Sequence, residues 1–222
     1  MNQKLLIFII ILVLSISSYY GTIQFNKYMK QQRLNYINSI YGPESFISVK
    51  NDSMGDQYNL TYGELTNDGL QNIIKYLEKN SFPVSTFIDL GSGNGKTLAL
   101  AIVNGFQNAK GVEIVEQRHN FAVEARNKME AYVKDMISLH HTDILQVQPS
   151  FFPEKSVIFI SNLLFPLDTT QKIIKFLSDN TPSDTILIVS RLPNNLYQFK
   201  LIETLAIGMS WDKNSRCYVL KK

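Results

Sequence analysis

Glycines and acidic residues around position 90 form the pattern in this chain that most clearly points to chemistry. Residues 89–96 read Asp-Leu-Gly-Ser-Gly-Asn-Gly-Lys. The apolar run 84–88 before them predicts a buried strand, and the Leu- and Ala-rich run 97–106 after them predicts a helix. Glu113 ends the next predicted strand about 20 residues further on, where an acidic side chain can reach a ribose. The pattern therefore predicts a nucleotide-like ligand at a strand-to-helix turn.

Three kinds of ligand site use glycine-rich loops of this sort, and the spacing separates them. A dinucleotide site follows Gly-x-Gly-x-x-Gly, but Lys96 stands where the third glycine belongs. A P-loop needs a glycine at the position of Leu90, so this loop is one residue short. Neither of the apolar runs 157–160 and 186–189 ends in the aspartate that a magnesium-dependent NTPase needs. The chain fits in full only Asp-x-Gly-x-Gly-x-Gly followed by an acidic second strand.

That complete pattern resembles the S-adenosylmethionine (SAM) site of class I methyltransferases. The resemblance implies SAM as the cofactor. The alternative that the residues leave open is a loop kept glycine-rich only for a tight turn.

The predicted elements agree with such a fold. Strands alternate with helices from residue 61 onward, which indicates a parallel sheet covered on both faces. The predicted helices include 117–136, 167–177 and one with a buried stripe over 70–77, for which Asn67 is the expected N-cap. The last two predicted strands form a hairpin around residues 212–214. We expect an α/β fold: a Rossmann-like class I methyltransferase sheet with helices on both faces and a C-terminal antiparallel hairpin.

The N-terminus adds a separate signal. Residues 5–23 are almost uninterruptedly apolar and just reach the ~17–20 residues that a membrane helix needs. A cleaved signal peptide, with Ser15-Ile16-Ser17 as its cleavage site, is the alternative, and an uncleaved anchor is favoured. The cations that follow the segment are Lys27, Lys30 and Arg33. By the positive-inside rule they predict a single-pass membrane protein whose catalytic domain faces the cytoplasm.

These features divide the chain into three predicted parts. Residues 1–23 form a transmembrane anchor, residues 24–60 a stalk or linker with a loop at 41–58, and residues 61–222 the methyltransferase domain. The net charge of +3 is too small to indicate nucleic-acid binding, and the single cysteine, Cys217, excludes an intrachain disulfide. The histidines have no partners at metal-ligand spacing, so no metal is expected.

Several further motifs follow one another in a fixed order. They are Tyr-Gly-Glu at 62–64, Gly-Val-Glu at 111–113, an aspartate at 143, Ser-Asn-Leu-Leu-Phe at 161–165, and a closing hairpin with Trp211 and Tyr218. Together they resemble the non-SET, Dot-type ("disruptor of telomeric silencing") histone lysine methyltransferases over about residues 61–220. Two of the family's motifs differ here. Its turn reads Asn-Asn-Phe-Ala-Phe, and its phenylalanine after the third-strand aspartate is Ile144 here.

The resemblance implies a role for each candidate residue on the cofactor side. These residues are Glu64, Thr66, Asp89, Gly91, Gly93, Gly95, Glu113 and Asp143. The glycines would let the backbone approach the methionine part of SAM, and Asp89 would orient that loop. Glu113 would bind the ribose hydroxyls and Asp143 the adenine amino group. Glu64 and Thr66 would cover the methionine end.

On the acceptor side, the resemblance implies a channel lined by Asn162, Phe165 and Tyr218. The residues alone leave other roles open: a strand-end cap for Asp143, core packing for the two aromatic rings, and a turn position for Asn162.

The expected function is a membrane-anchored SAM-dependent methyltransferase that acts on a protein lysine side chain. Its expected partners are the membrane and a protein with an accessible lysine. A methyltransferase for a lipid or small hydrophobic acceptor is one alternative, and a non-catalytic SAM-binding module tethered to a membrane is another. Because no basic extension for nucleosomes is visible, the nucleosome is a poor candidate substrate.

Overall fold

A seven-stranded sheet lies at the centre of the molecule. The computed structural model describes residues 3–42 and 63–222. The strands are Thr86–Leu90 (β1), Asn108–Glu113 (β2), Ile137–His141 (β3), Ser156–Ile160 (β4), Ile186–Val189 (β5), Lys200–Ile207 (β6) and Ser215–Lys221 (β7). Their order is β3-β2-β1-β4-β5-β7-β6, with β1 to β5 parallel and β7 antiparallel to both of its neighbours. The predicted α/β fold and the C-terminal antiparallel hairpin are confirmed.

The helices follow the sequence prediction with two differences. They are Gln3–Tyr41 (α1), Asn67–Lys79 (α2), Lys96–Val103 (α3), Glu116–Asn127 (α4), Ala131–Lys134 (α5) and Leu167–Asn180 (α6). The helix expected over 117–136 is interrupted between α4 and α5, after Asn127, a weak helix former. Thr66 rather than Asn67 caps α2, because its hydroxyl accepts a hydrogen bond from the amide of Gly69 at 3.1 Å.

Two predicted features lie wholly or largely outside the described residues. The loop expected at 41–58 lies outside the described residues except for its first two positions, of which Tyr41 ends α1. Tyr62 of the Tyr-Gly-Glu motif also lies outside them.

The sheet separates two hydrophobic cores, because successive side chains of a strand point to opposite faces. Phe87, Phe159 and Ile188 belong to the larger core, to which α1, α2 and α3 contribute. Ile158 and Leu187 belong to the smaller core, where α6 is the covering helix. In a parallel sheet buried on both faces, the strands become continuous apolar runs, as the sequence pattern predicted.

The last turns of helix α1 pack on the sheet domain. Leu34, Ile37 and Tyr41 belong to the larger core, and Tyr36 donates its hydroxyl hydrogen to the carbonyl of Lys128 at 2.5 Å. Further back, side chains such as Leu14 and Ile23 are exposed. The final turns of α1 are therefore part of the folded domain.

The predicted membrane location is wrong. Within residues 3–42 and 63–222, no helix is both long enough and apolar enough to cross a membrane. Helix α1 carries charged residues over its second half and ends in the core of the domain. The single-pass anchor, and with it the assignment of a cytoplasmic side, is therefore withdrawn. The predicted boundary at residue 61 stays a prediction.

The C-terminal hairpin forms one edge of the sheet. Strand β6 has exposed side chains along most of its length, whereas β7 is covered by its two neighbours. Cys217 in β7 is fully buried, with its Sγ 3.7 Å from the Ser190 Oγ. Burial raises the pKa of this thiol, so it stays protonated.

The packing of α1 gives a first prediction. Ile37→Ala should lower the free energy of unfolding by about 2–5 kcal/mol, because Ile37 is 1% exposed inside the larger core. Ile23→Ala is the matched control: the same substitution on the same helix, at a side chain that is 42% exposed, should cost less than about 0.5 kcal/mol. Urea unfolding of both full-length variants measures the difference. Equal losses would contradict the docking of α1.

Candidate functional site

Three carboxylates gather at the edge of the sheet where the parallel strands end. Asp89 in β1 and Glu113 at the end of β2 are each 5% exposed. Glu64 belongs to the segment before α2 and acts on the same region. Burial raises the pKa of Asp89 well above its ordinary value, and the negative charges of Glu113 and Glu64 raise it further. This edge therefore favours a ligand that brings positive charge.

Glu113 fastens the glycine loop to β2. Its Oε2 accepts a hydrogen bond from the amide of Gly93 at 2.7 Å, and its Oε1 accepts one from the amide of Val115 at 2.8 Å. Hydrogen bonds to a carboxylate are stronger than neutral ones, so the loop is held in place before any ligand binds. Each carboxylate oxygen has a second lone pair, which leaves Glu113 able to accept hydroxyl hydrogens from a ribose.

The three predicted glycines all have backbone conformations that other residues rarely adopt. Their φ angles are +95° at Gly91, +54° at Gly93 and +78° at Gly95. A Cβ at Gly95 would lie 3.1 Å from the Cβ of Ala122, so this position is also crowded. At Gly91, among the described residues, a Cβ would come within 4.0 Å only of the Phe165 ring. The loop thus leaves a free space that faces an acceptor-side residue.

Asn94, inside the loop, joins Glu64 to the start of α3. Its Nδ2 donates to the Glu64 Oε1 at 2.6 Å, and its Oδ1 accepts from the amide of Lys96 at 3.0 Å. Asn94 is 1% exposed, so both bonds are shielded from water. Asn94 lies within the glycine motif, but the motif alone does not predict this role.

Thr66 has a role in the fold that the sequence analysis did not assign. Its hydroxyl hydrogen goes to the carbonyl of Gly208 at 2.8 Å, while its oxygen caps α2. The neighbouring Glu64 amide donates to the Ser210 Oγ at 3.0 Å. Together with the bridge between Leu65 and Met209, these bonds attach the segment before α2 to the tip of the C-terminal hairpin.

Asn162 uses its side-chain amide to hold the backbone after β5. Its Nδ2 donates to the carbonyl of Arg191, and its Oδ1 accepts from the Arg191 amide, both at 2.9 Å. The Arg191 guanidinium in turn donates to the carbonyl of Phe165 at 3.1 Å. Asn162 and Arg191 therefore fix the turn that carries Phe165. Arg191 was missed by the sequence analysis, since no local pattern marks it.

Two side chains of α6 also hold the segment after β5 in place. Gln171 donates to the carbonyl of Asn195 at 2.8 Å and accepts from its amide at 3.0 Å. The Ser178 Oγ accepts from the amide of Gln198 at 3.1 Å. This stretch has no helix of its own, and side chains replace the missing backbone ladder.

The two candidate aromatic residues of the acceptor channel lie on the same side of the sheet. Phe165 and Tyr218 both pack, partly buried, against the smaller core. Tyr218 pairs with Val189 at the end of β5. The sheet thus brings the two rings to the region after β4 and β5, and core packing accounts for part of their burial.

Asp143 and the histidines lie on the β3 side of the site. The Asp143 Oδ1 accepts from the amide of Leu145 at 2.9 Å and so caps a short 3-10 helix, Ile144–Gln146. The rings of His119 and His141 stack with their centroids 5.2 Å apart. Across residues 3–42 and 63–222, no three potential metal ligands come together.

The Trp211 ring packs against Gly63, and this contact explains why the Tyr-Gly-Glu motif has a glycine at position 63. A Cβ at position 63 would overlap the Trp211 ring, which is otherwise 44% exposed. The hairpin tip and the segment before α2 therefore meet with no room between them.

This contact predicts an effect that fluorescence can measure, because Trp211 is the only tryptophan. Gly63→Ala should displace the indole, change its emission maximum and lower the free energy of unfolding by about 1–3 kcal/mol. In a Trp211→Ala background the same change should cost less than about 0.5 kcal/mol. Gly21→Ala, where no atom lies within 4 Å, is the control. Unchanged emission in the Gly63→Ala variant would exclude the contact.

The chain matches a family model described as "Histone methylation protein DOT1" over residues 56–208. The methyltransferase domain of bacterial CtHen1 has a similar structure, with a TM-score of 0.55 and 16% identity over 70% of this chain and 98% of that chain. The glycopeptide N-methyltransferase MtfA has a TM-score of 0.54 and 10% identity over 70% of this chain and 96% of that chain. At such identities the likeness shows the fold alone. No curated protein sequence matches the chain.

The geometry of the edge fits the cofactor that this family uses. SAM carries a sulfonium and an ammonium group, and the site gathers the charges of Asp89, Glu113 and Glu64. The open space beside Gly91 leaves room for a ligand against the backbone. The match covers more than half of the sequence. The chain therefore belongs to the DOT1 family and is a class I methyltransferase that uses SAM as its cofactor.

Proposed function

We propose that this protein methylates a lysine side chain of another protein. The observation that carries the proposal is the position of Phe165, whose ring faces the open space at Gly91 in the cofactor loop. An aromatic residue at this point can line the path by which an acceptor reaches the methyl group. The family's description as a histone methylation protein supports a protein acceptor.

We assign the cofactor side to the carboxylates and the glycine loop. Glu113 would bind the ribose hydroxyls, and Asp89 and Glu64 would offset the positive charge at the methionine end. Asp143 would bond the adenine amino group in addition to its capping bond. Thr66 acts on the cofactor indirectly, because its hydroxyl holds the segment that carries Glu64.

SAM supplies an electrophilic methyl group, and the acceptor lysine must be neutral to react with it. A lysine has an ordinary pKa of about 10.4, so most of it is protonated at neutral pH. An apolar channel lowers that pKa, since burial disfavours the charged form. Aromatic ring faces also suit the methylammonium product. In the proposed channel, Phe165 and Tyr218 provide these walls, and no strong general base is needed.

Asn162 and Arg191 position the channel rather than touch the acceptor nitrogen. The amide of Asn162 is bonded on both sides to the backbone of Arg191, and Arg191 holds the Phe165 carbonyl. Asn162 thus contributes to the proposed channel by fixing the Phe165 turn.

Labelled SAM tests the acceptor class directly. The full-length protein would be incubated with methyl-labelled SAM, core histones and a cell extract, and the labelled product would be hydrolysed. Label recovered as methyl-lysine supports the proposal. Label in the lipid extract or in small molecules contradicts it, and absence of any transfer indicates a non-catalytic SAM-binding protein.

The channel predicts the behaviour of a tyrosine variant on the acceptor found in this way. Tyr218→Ala should slow methyl transfer by at least about tenfold, roughly 1.4 kcal/mol of barrier, with SAM affinity nearly unchanged. Tyr197→Ala, at an exposed tyrosine, is the control and should retain its rate. Full activity of Tyr218→Ala would show that the hairpin tyrosine is only structural.

The carboxylate cluster predicts that Asp89 lowers the stability of the folded protein and raises its affinity for the cofactor. The folded-state pKa of Asp89 is raised above its ordinary value of 3.8, so the folded state loses stability as pH rises above that value. Asp89→Asn should therefore raise the melting temperature of the cofactor-free protein at neutral pH, and the gain should vanish towards acidic pH.

The same substitution should weaken SAM binding at least about tenfold, since it removes negative charge from the site. Calorimetric titration at neutral pH measures this loss. Asp168→Asn, at an exposed carboxylate, is the control and should leave both quantities unchanged. A variant that is no more stable than the parent, or that binds SAM equally well, would count against the assigned role of Asp89.

A further inference from the structure

The end of helix α1 lies directly against the start of α3, where the cofactor loop ends. Tyr41 is the last residue of α1 and is 4% exposed. Its ring centroid is 6.0 Å from that of Phe121 in α4. On another side, the ammonium of Lys96 lies 5.9 Å from the centroid of the Tyr41 ring, within the range of a cation–π contact.

Lys96 connects Tyr41 to the cofactor site. It is the first residue of α3, and its amide donates to the side chain of Asn94, which in turn donates to Glu64. The tyrosine is also electrostatically coupled to the site: burial raises the pKa of its phenol, and the charge of Glu64 raises it further. One contact network therefore joins the N-terminal helix to the glycine loop.

Leu34 and Ile37 show what simple packing of α1 looks like. Both are apolar side chains within the larger core, and neither faces a charged group of the site in the contacts described above. Tyr41 shares their burial but adds an aromatic face for an ammonium group. Packing of the helix alone would require only an apolar side chain at this position, so the aromatic ring of Tyr41 indicates an additional role.

We propose that Tyr41 is a positioning residue for SAM, which holds Lys96 and Glu64 in place at the methionine end of the cofactor. The inference rests on the proposed cofactor site. It makes the last residue of α1 part of that site, although it precedes the Tyr-Gly-Glu motif by some twenty residues of chain. Because coupling between binding and docking is reciprocal, SAM should in turn stabilise the docked end of α1.

Calorimetry on the full-length protein at a temperature where every variant is folded tests the proposal. Tyr41→Leu keeps an apolar side chain but removes the ring, and it should weaken SAM binding at least about tenfold. Tyr41→Phe keeps the ring and should bind within about threefold of the parent. Ile37→Ala is the control for a merely structural role: it should lose thermal stability yet bind SAM with unchanged affinity.

Two further measurements separate a coupling of Tyr41 to SAM binding from simple packing of α1 on the domain. Lys96→Met should weaken binding as Tyr41→Leu does, and the double variant should be no worse than either single one, because both act through one contact. Amide hydrogen exchange over residues 34–41 should slow when SAM is added to the parent protein.

The possible failures are distinguishable. Gly93→Arg should fill the cofactor space, abolish SAM binding and remove the protection of residues 34–41. If Gly93→Arg binds SAM normally, the proposed site itself is wrong. If Gly93→Arg fails to bind but Tyr41→Leu binds like the parent, or if exchange over 34–41 ignores SAM, only the role of Tyr41 is overturned.

Discussion

Negative charge packed into the end of a parallel sheet is the constraint on which the rest of this structure depends. Asp89 and Glu113 are nearly inaccessible to water, and the charges of Glu113 and Glu64 both act on Asp89. Such a group of carboxylates is costly to bury unless donors or cations compensate it. Backbone amides of the glycine loop and the Asn94 amide group supply part of this compensation, which ties the loop conformation to the charges. A cationic cofactor supplies what the protein leaves unbalanced.

The acceptor side is constructed differently. Here the chain relies on neutral side-chain amides that imitate backbone pairing, first from Asn162 to Arg191 and then from Gln171 to Asn195. Together with the bond from Arg191 to the Phe165 carbonyl, these contacts fix the backbone around Phe165, one aromatic residue of the proposed channel. Leu164 and Leu167, close to Phe165 in the chain, are 46% and 53% exposed and give this segment an apolar surface. The glycine loop and the Phe165 turn are thus held by separate sets of interactions.

The sequence anticipates the contacts around the glycine loop more readily than those around Asn162, and the reason is the distance along the chain between partners. The glycines, Asp89 and Glu113 lie within one strand–helix–strand unit, whose geometry fixes their spacing. Asn162 pairs with a residue 29 positions away, and Tyr36 of α1 bonds to one 92 positions away. No local pattern reports such contacts, and for this reason Arg191 and the docking of α1 went unpredicted. The apolar start of α1 was interpreted as a membrane anchor because hydropathy alone does not show where a helix ends or what it packs against.

Cys217 gives the C-terminal edge of the sheet an intrinsic chemical reporter. Its thiol is fully buried between strands and carries a raised pKa, so a thiol-reactive reagent cannot modify it in the closed sheet. Modification requires the packing around β7 to open, and a separation of the hairpin from β5 is one such opening, which also displaces Tyr218. The rate of labelling therefore measures how often this edge of the sheet opens and closes in the native protein, at a position where no probe needs to be introduced.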